Sequence, residues 1–211
     1  MAGTVILSGN NTFTGGVTVS SSGGTNRVGT LELATPGANA ISSGNVTLGN
    51  SATLLFGADN QLASSVNITS GGGAAIKVGS TTQTAGSLTL TGNSSIVFGS
   101  GGSISFATST ASGWAGTLYV SNYVSSDVLR FGTTSSGLGS GGPIFSQIVF
   151  VDPGGTAWNL KGQIDASGFV RPVPEVGSLV YGGLLTGLVG WGQRRNLKNG
   201  LKRLCGGVIT K

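Results

Sequence analysis

From Val5 to Phe150 one short pattern recurs: an apolar residue, any residue, a second apolar residue, then usually Gly, Ser, Thr or Ala. It occurs at Leu31-Glu-Leu33, Val46-Thr-Leu48, Leu54-Leu-Phe56, Val66-Asn-Ile68 and Ile76-Lys-Val78. It continues at Leu88-Thr-Leu90, Ile96-Val-Phe98, Ile104-Ser-Phe106, Leu118-Tyr-Val120 and Leu129-Arg-Phe131. A period of two puts both apolar residues on one face of a strand and the middle residue on the other. Breaks such as Gly49-Asn50, Gly71-Gly72-Gly73 and Gly92-Asn93 supply turns. No segment of this region has a helical period, so the expected class is all-β. Strand starts lie about 12 residues apart, a spacing that fits a sandwich or a solenoid. Strands of only three to five residues suit the faces of stacked coils, and a β-solenoid is the expected architecture.

Composition agrees with that choice. Only 8% of residues are charged, against roughly 25% in an average domain. Stacked coils would place like charges next to one another, so low charge favours stacking. Hydrophobic content of 38% is enough for a core, and 40 glycines serve the turns. Charge is unevenly distributed. Residues 1–175 carry five basic groups against six acids, whereas residues 176–211 hold Arg194, Arg195, Lys198, Lys202, Arg203 and Lys211 with no acid. These cations adjoin an apolar run instead of alternating with aromatics on a patch, so nucleic acid is not an expected partner.

Residues 3–33 carry a more specific signal. Gly9, Asn11, Thr12, Phe13, Thr14, Gly15 and Gly16, with Leu7, Thr18 and Val19, resemble an autotransporter-associated β-strand repeat. The resemblance implies a right-handed β-helix of the passenger-domain type, over residues 1–150. It names a scaffold and no activity. The segment Met1-Ala2-Gly3-Thr4 has no basic or apolar leader character, so the chain is expected to be part of a longer exported protein.

A last β-rich stretch, 151–170, is expected to cap the solenoid. Arg171-Pro-Val-Pro-Glu175 follows, and its two prolines favour an extended segment outside regular structure. Val176–Trp191 is uncharged and mostly apolar or Gly. As a helix its sixteen residues reach about 24 Å, and adding Gly192 and Gln193 makes a membrane span over 176–193 feasible. Trp191, Arg194 and Arg195 would mark the membrane boundary, with 194–211 as a basic cytoplasmic tail. Val173, Pro174 and Glu175, then an apolar helix, then Arg194-Arg195, resemble the PEP-CTERM sorting signal; Val176 stands where that family has a second proline. The resemblance implies a Gram-negative bacterium, an exosortase (a membrane protease-transpeptidase) as partner, and transit through the inner membrane to the cell surface, outer envelope or extracellular space. An exopolysaccharide matrix is a further expected partner.

Catalytic chemistry is sparse. The chain has no histidine, which removes the commonest general base and metal ligand. Cys205 is the single cysteine and lies beyond the expected anchor, so neither a disulfide framework nor a multi-Cys metal site is available. Asp59, Asp127 and Lys77 are the loose candidates for an acidic cleft. Thr-x-Thr pairs at Thr12/Thr14 and Thr89/Thr91 resemble ice-binding faces, without repetition in register. No catalytic, cofactor or metal residue is assigned, and the chain is expected not to be an enzyme. The expected function is that of a surface or matrix protein of structural or adhesion type. The alternatives are a carbohydrate-active β-helix enzyme and a fragment of an autotransporter passenger domain.

Overall fold

The computed structural model describes residues 3–9, 11–20, 28–37, 39–139, 144–151 and 160–173. The chain divides into two units, Met1–Val173 and Pro174–Lys211, and every described residue belongs to the first. That unit is an all-β solenoid built from three sheets. The first contains β1 (Gly3–Leu7), β3 (Gly29–Leu33), β5 (Thr53–Phe56), β7 (Ala75–Gly79), β10 (Ser94–Phe98), β12 (Leu118–Ser121) and β14 (Ile144–Val151), all parallel in that order. The second stacks β2 (Val17–Val19), β4 (Val46–Leu48), β6 (Ile68–Ser70) and β9 (Leu88–Leu90). The third stacks β8 (Thr82–Ala85), β11 (Ser103–Phe106) and β13 (Val128–Phe131). Each coil returns in the same direction after roughly 20–30 residues, which is why neighbours pair parallel.

The alternating triplets form the inner walls. In the first sheet Leu31, Leu54, Ile76, Ile96, Val120 and Phe150 are successive register partners, all buried. Val46, Ile68 and Leu88 form a second column, and Phe106 stacks on Phe131 with ring centroids 4.9 Å apart. At a strand spacing of about 4.8 Å each aliphatic rests on the one below. Burying such a side chain is worth about 1.5–3 kcal/mol, so the core is a set of short stacks more than a central cluster. Val66 departs from the expectation. Its N–H closes a turn on Ala63 O (2.9 Å), so β6 begins only at Ile68, although both side chains are buried.

The first and second sheets end differently. At the last coil the sheet turns antiparallel through β15 (Leu160–Ile164) and β16 (Val170–Pro172), which follow β14 at its edge. Arg171 and Pro172, expected to stand outside regular structure, therefore complete an edge strand. Pro172 is tolerated there because an outermost strand can lack an N–H donor. The second sheet is closed by side chains instead. After β11 the chain makes a 3-10 turn at Ala111–Gly113 that packs against β9; Trp114 Nε1 donates to Leu88 O (3.0 Å), and Leu88 N donates to Ser109 Oγ (2.9 Å). No helix among the described residues is long and apolar enough to cross a membrane. The expected span at 176–193, with Trp191, Arg194 and Arg195, lies outside the described residues.

Candidate functional site

The residues that carry the repeat resemblance lie between β1 and β2, where the chain turns toward the second sheet. Asn11 Nδ2 donates to Gly9 O (2.8 Å) and to Ala40 O of the next coil (3.1 Å), and Thr35 Oγ1 donates to Gly9 O (3.0 Å). Gly16 packs so closely under Asn45 that an added Cβ would sit 2.9 Å from Asn45 O. Gly44, at φ +81°, approaches the Gly15 carbonyl, and any side chain there would strike it. Phe13 is 37% exposed, and Thr12 and Thr14 face outward. Asn11, Gly15 and Gly16 thus join the first coil to the next.

Amides and acids at other turns do the same work or brace their own turn. Asn67 Oδ1 accepts from Ser87 N (2.8 Å), Asn93 Oδ1 from Thr117 N (2.9 Å), and Asp59 Oδ1 from Thr82 N (2.8 Å). Asp127 accepts from Gly102 N (2.9 Å) and Val124 N (2.8 Å), and Asp165 Oδ1 accepts from Ser167 N and Phe169 N. Inside the solenoid, Gln61 and Gln83 form an amide ladder. Gln61 Oε1 accepts from Thr35 N (2.7 Å), Gln83 Oε1 accepts from Gln61 N (2.9 Å), and Gln83 Nε2 donates to Ala58 O (2.7 Å). Both side chains are fully buried, so these bonds satisfy main-chain groups that water cannot reach. Asp59, Asp127 and Lys77 are not brought into one cleft: the two acids hold turn N–H groups, and Lys77 projects outward from β7. Among the described residues no group of three or more His, Cys, Asp or Glu could hold a metal.

Two outward faces are chemically organised. On the second sheet Thr18, Thr47, Thr69 and Thr89 are successive register partners, a single file of threonines. Thr18, Thr47 and Thr89 are each the middle residue of an apolar pair, but Thr69 stands between Ile68 and Ser70, so the pattern alone does not mark the file; the Thr12/Thr14 pair lies outside the strands. On the third sheet Thr84, Ser105 and Arg130 are register partners. They line a groove of about 180 Å³ together with Ser64 and Thr133.

Near the last coils Tyr123 sits edge-on to Phe98 (5.5 Å) and Phe150 (4.9 Å). Burial pushes its phenol pKa upward; the nearby Arg171 opposes that shift and Asp127 adds to it. Val173, first residue of the expected sorting motif, donates its N–H to Lys161 O (2.9 Å) and so remains attached to β15. Pro174 and Glu175 lie outside the described residues. No protein-family model matches the chain, and no curated protein or solved structure matches it.

Proposed function

We propose that the chain is a non-enzymatic scaffold of structural or adhesion type, exported to the cell surface or into an extracellular matrix. On this reading the solenoid is right-handed, Val173-Pro174-Glu175 is a PEP-CTERM-type sorting site for an exosortase, 176–193 is a transmembrane helix, and 194–211 is its cytoplasmic basic tail. The observation that carries it is how the described polar side chains are used. At turn after turn they bind main-chain groups of the neighbouring coil, while the outward strand positions are largely hydroxyl-bearing and uncharged. Such a rod presents a repetitive surface suited to many weak contacts. Uncharged hydroxyls are compatible with a polysaccharide environment.

The test is processing of the full chain, given an export signal, in a host that carries an exosortase. The protein is expected to lose its tail beyond about residue 175 and leave the inner membrane. Glu175→Ala is expected to remain full-length and membrane-bound, and Val176→Pro to be processed faster. An intact product from both the wild type and Val176→Pro would overturn the sorting assignment.

A further inference from the structure

Several hydroxyls of the solenoid, those of Thr35, Thr81, Thr91 and Ser94, are directed at main-chain oxygens. Among the described residues the outward threonine file of the second sheet makes no such bond, and neither do the hydroxyls of the groove on the third sheet, but only the groove has an arginine as the next register partner. Thr84 and Ser105, one coil apart on the outer face of β8 and β11, make no side-chain hydrogen bond among the described residues. Arg130, the next register partner, is held from behind. Its Nε donates to Ser167 O (3.1 Å), and its guanidinium carbon lies 5.1 Å from the centroid of Phe169. A cation over a ring face is attracted by the ring quadrupole, so the fork is pre-oriented. No carboxylate among the described residues pairs with it, and its two terminal NH₂ groups have no described partner.

We propose that this groove is a subsite for a carboxylated saccharide, a uronate unit of an acidic glycan. The planar fork of Arg130 would take the carboxylate through two parallel N–H···O bonds, a geometry that lysine cannot match. Thr84 and Ser105 would meet the hydroxyls of the same or the adjoining ring, since their strands are about 4.8 Å apart. The groove, about 180 Å³ and open to solvent, offers room for a single sugar ring. The inference deepens the matrix-facing reading above and rests on it for its biological setting. Binding in a purified system is nevertheless independent of whether the tail is sorted.

The experiment is titration of the full chain in detergent with a uronate trisaccharide, followed by amide chemical shifts. Matched arms use the neutral hexose trisaccharide, sodium acetate and a tri-glutamate peptide. The expected result is saturable shifts at Thr84, Ser105, Arg130 and Thr133 with the uronate alone. Arg130→Gln is expected to weaken binding at least about tenfold, Arg130→Lys to restore only part of it, and Lys161→Gln to change nothing. Ser105→Val leaves the Arg130 anchor untouched and is expected to weaken binding severalfold, which keeps the test informative if Arg130→Gln does not fold. Equal binding of the neutral sugar, of acetate alone or of the peptide would overturn the assignment. So would unchanged affinity in both Arg130→Gln and Ser105→Val.

Discussion

Val5 and Leu54 occupy the same inward column of the first sheet, with Leu31 between them, yet Val5 is 60% exposed and Leu54 is fully buried. Their local sequences are alike: Thr-Val-Ile-Leu in the first coil and Thr-Leu-Leu-Phe in the third. Leu54 lies between Leu31 and Ile76, whereas among the described residues Val5 has a register partner, Leu31, on one side only. The opposite end adds a contrast. There β15 and β16 continue the sheet antiparallel, and Arg171 and Pro172 give the outermost strand a charge and a missing donor, both of which discourage further pairing. The edge of β1 carries neither. In a solenoid, therefore, the alternating pattern marks which residues face inward, but the coils above and below decide what that orientation contributes.

The largest expected effect follows directly. Leu54→Ala should destabilise the protein by about 2–5 kcal/mol in chemical denaturation, as for other buried leucines that leave a cavity. Val5→Ala should shift it by less than about 1 kcal/mol, in the range of exposed substitutions. Equal losses would mean that the first coil is covered in solution and would break the contrast.

Polar residues sharpen it next. Gln83→Leu removes the acceptor of Gln61 N and the donor to Ala58 O in the buried middle; each group so orphaned costs about 1–3 kcal/mol. Asn11→Ala, at the exposed first turn, should cost under about 1 kcal/mol, because water can replace its bonds. If the two losses are alike, the amide ladder contributes no more than a surface turn. Ser70 has the opposite sign. It stands between Leu48 and Leu90 in the second sheet, fully buried, and its Oγ has no hydrogen-bond partner. Ser70→Ala should be neutral or stabilising by up to about 1 kcal/mol, read from the same denaturation midpoints. A clear loss would show that the hydroxyl is in fact engaged.

The smallest effect is electrostatic. Burial raises the Tyr123 phenol pKa in the folded chain, so the neutral form is the one that folding favours. Its contribution is fully present below the unfolded value near 10 and is lost as pH rises through the higher folded pKa. Tyr123→Phe should therefore flatten the alkaline limb of the stability profile above about pH 10 and leave neutral pH nearly unchanged. An unaltered alkaline limb would place the cause elsewhere.

The sequence exposed the inward aliphatic pairs because alternation is a local signal, and most of the triplets became strands. It did not expose β8, whose inward residues are Gln83 and Ala85 and not two aliphatics. Glutamine is usually a surface residue, so nothing local marks Gln61 and Gln83 as an internal ladder; their matching distance along the chain has meaning only once the coil length is known. Ser70 breaks the apolar rule at a position that the register alone defines. Arg130 looked like the solvated middle of Leu129-Arg-Phe131, because the Ser167 carbonyl and the Phe169 ring that orient it arrive from a distant hairpin. The threonine file was hidden for the same reason, its members being one coil apart.

Successive coils lie in register along one axis. Continuous-wave electron paramagnetic resonance on the Cys205→Ser chain, with nitroxides at Thr47→Cys and Thr89→Cys, checks that stacking. These positions are separated by two strand intervals of the second sheet, about 10 Å. Strong dipolar broadening is expected in the doubly labelled chain, removed when either label is omitted or when the chain is unfolded. A doubly labelled spectrum that superimposes on the sum of the two single labels would contradict it.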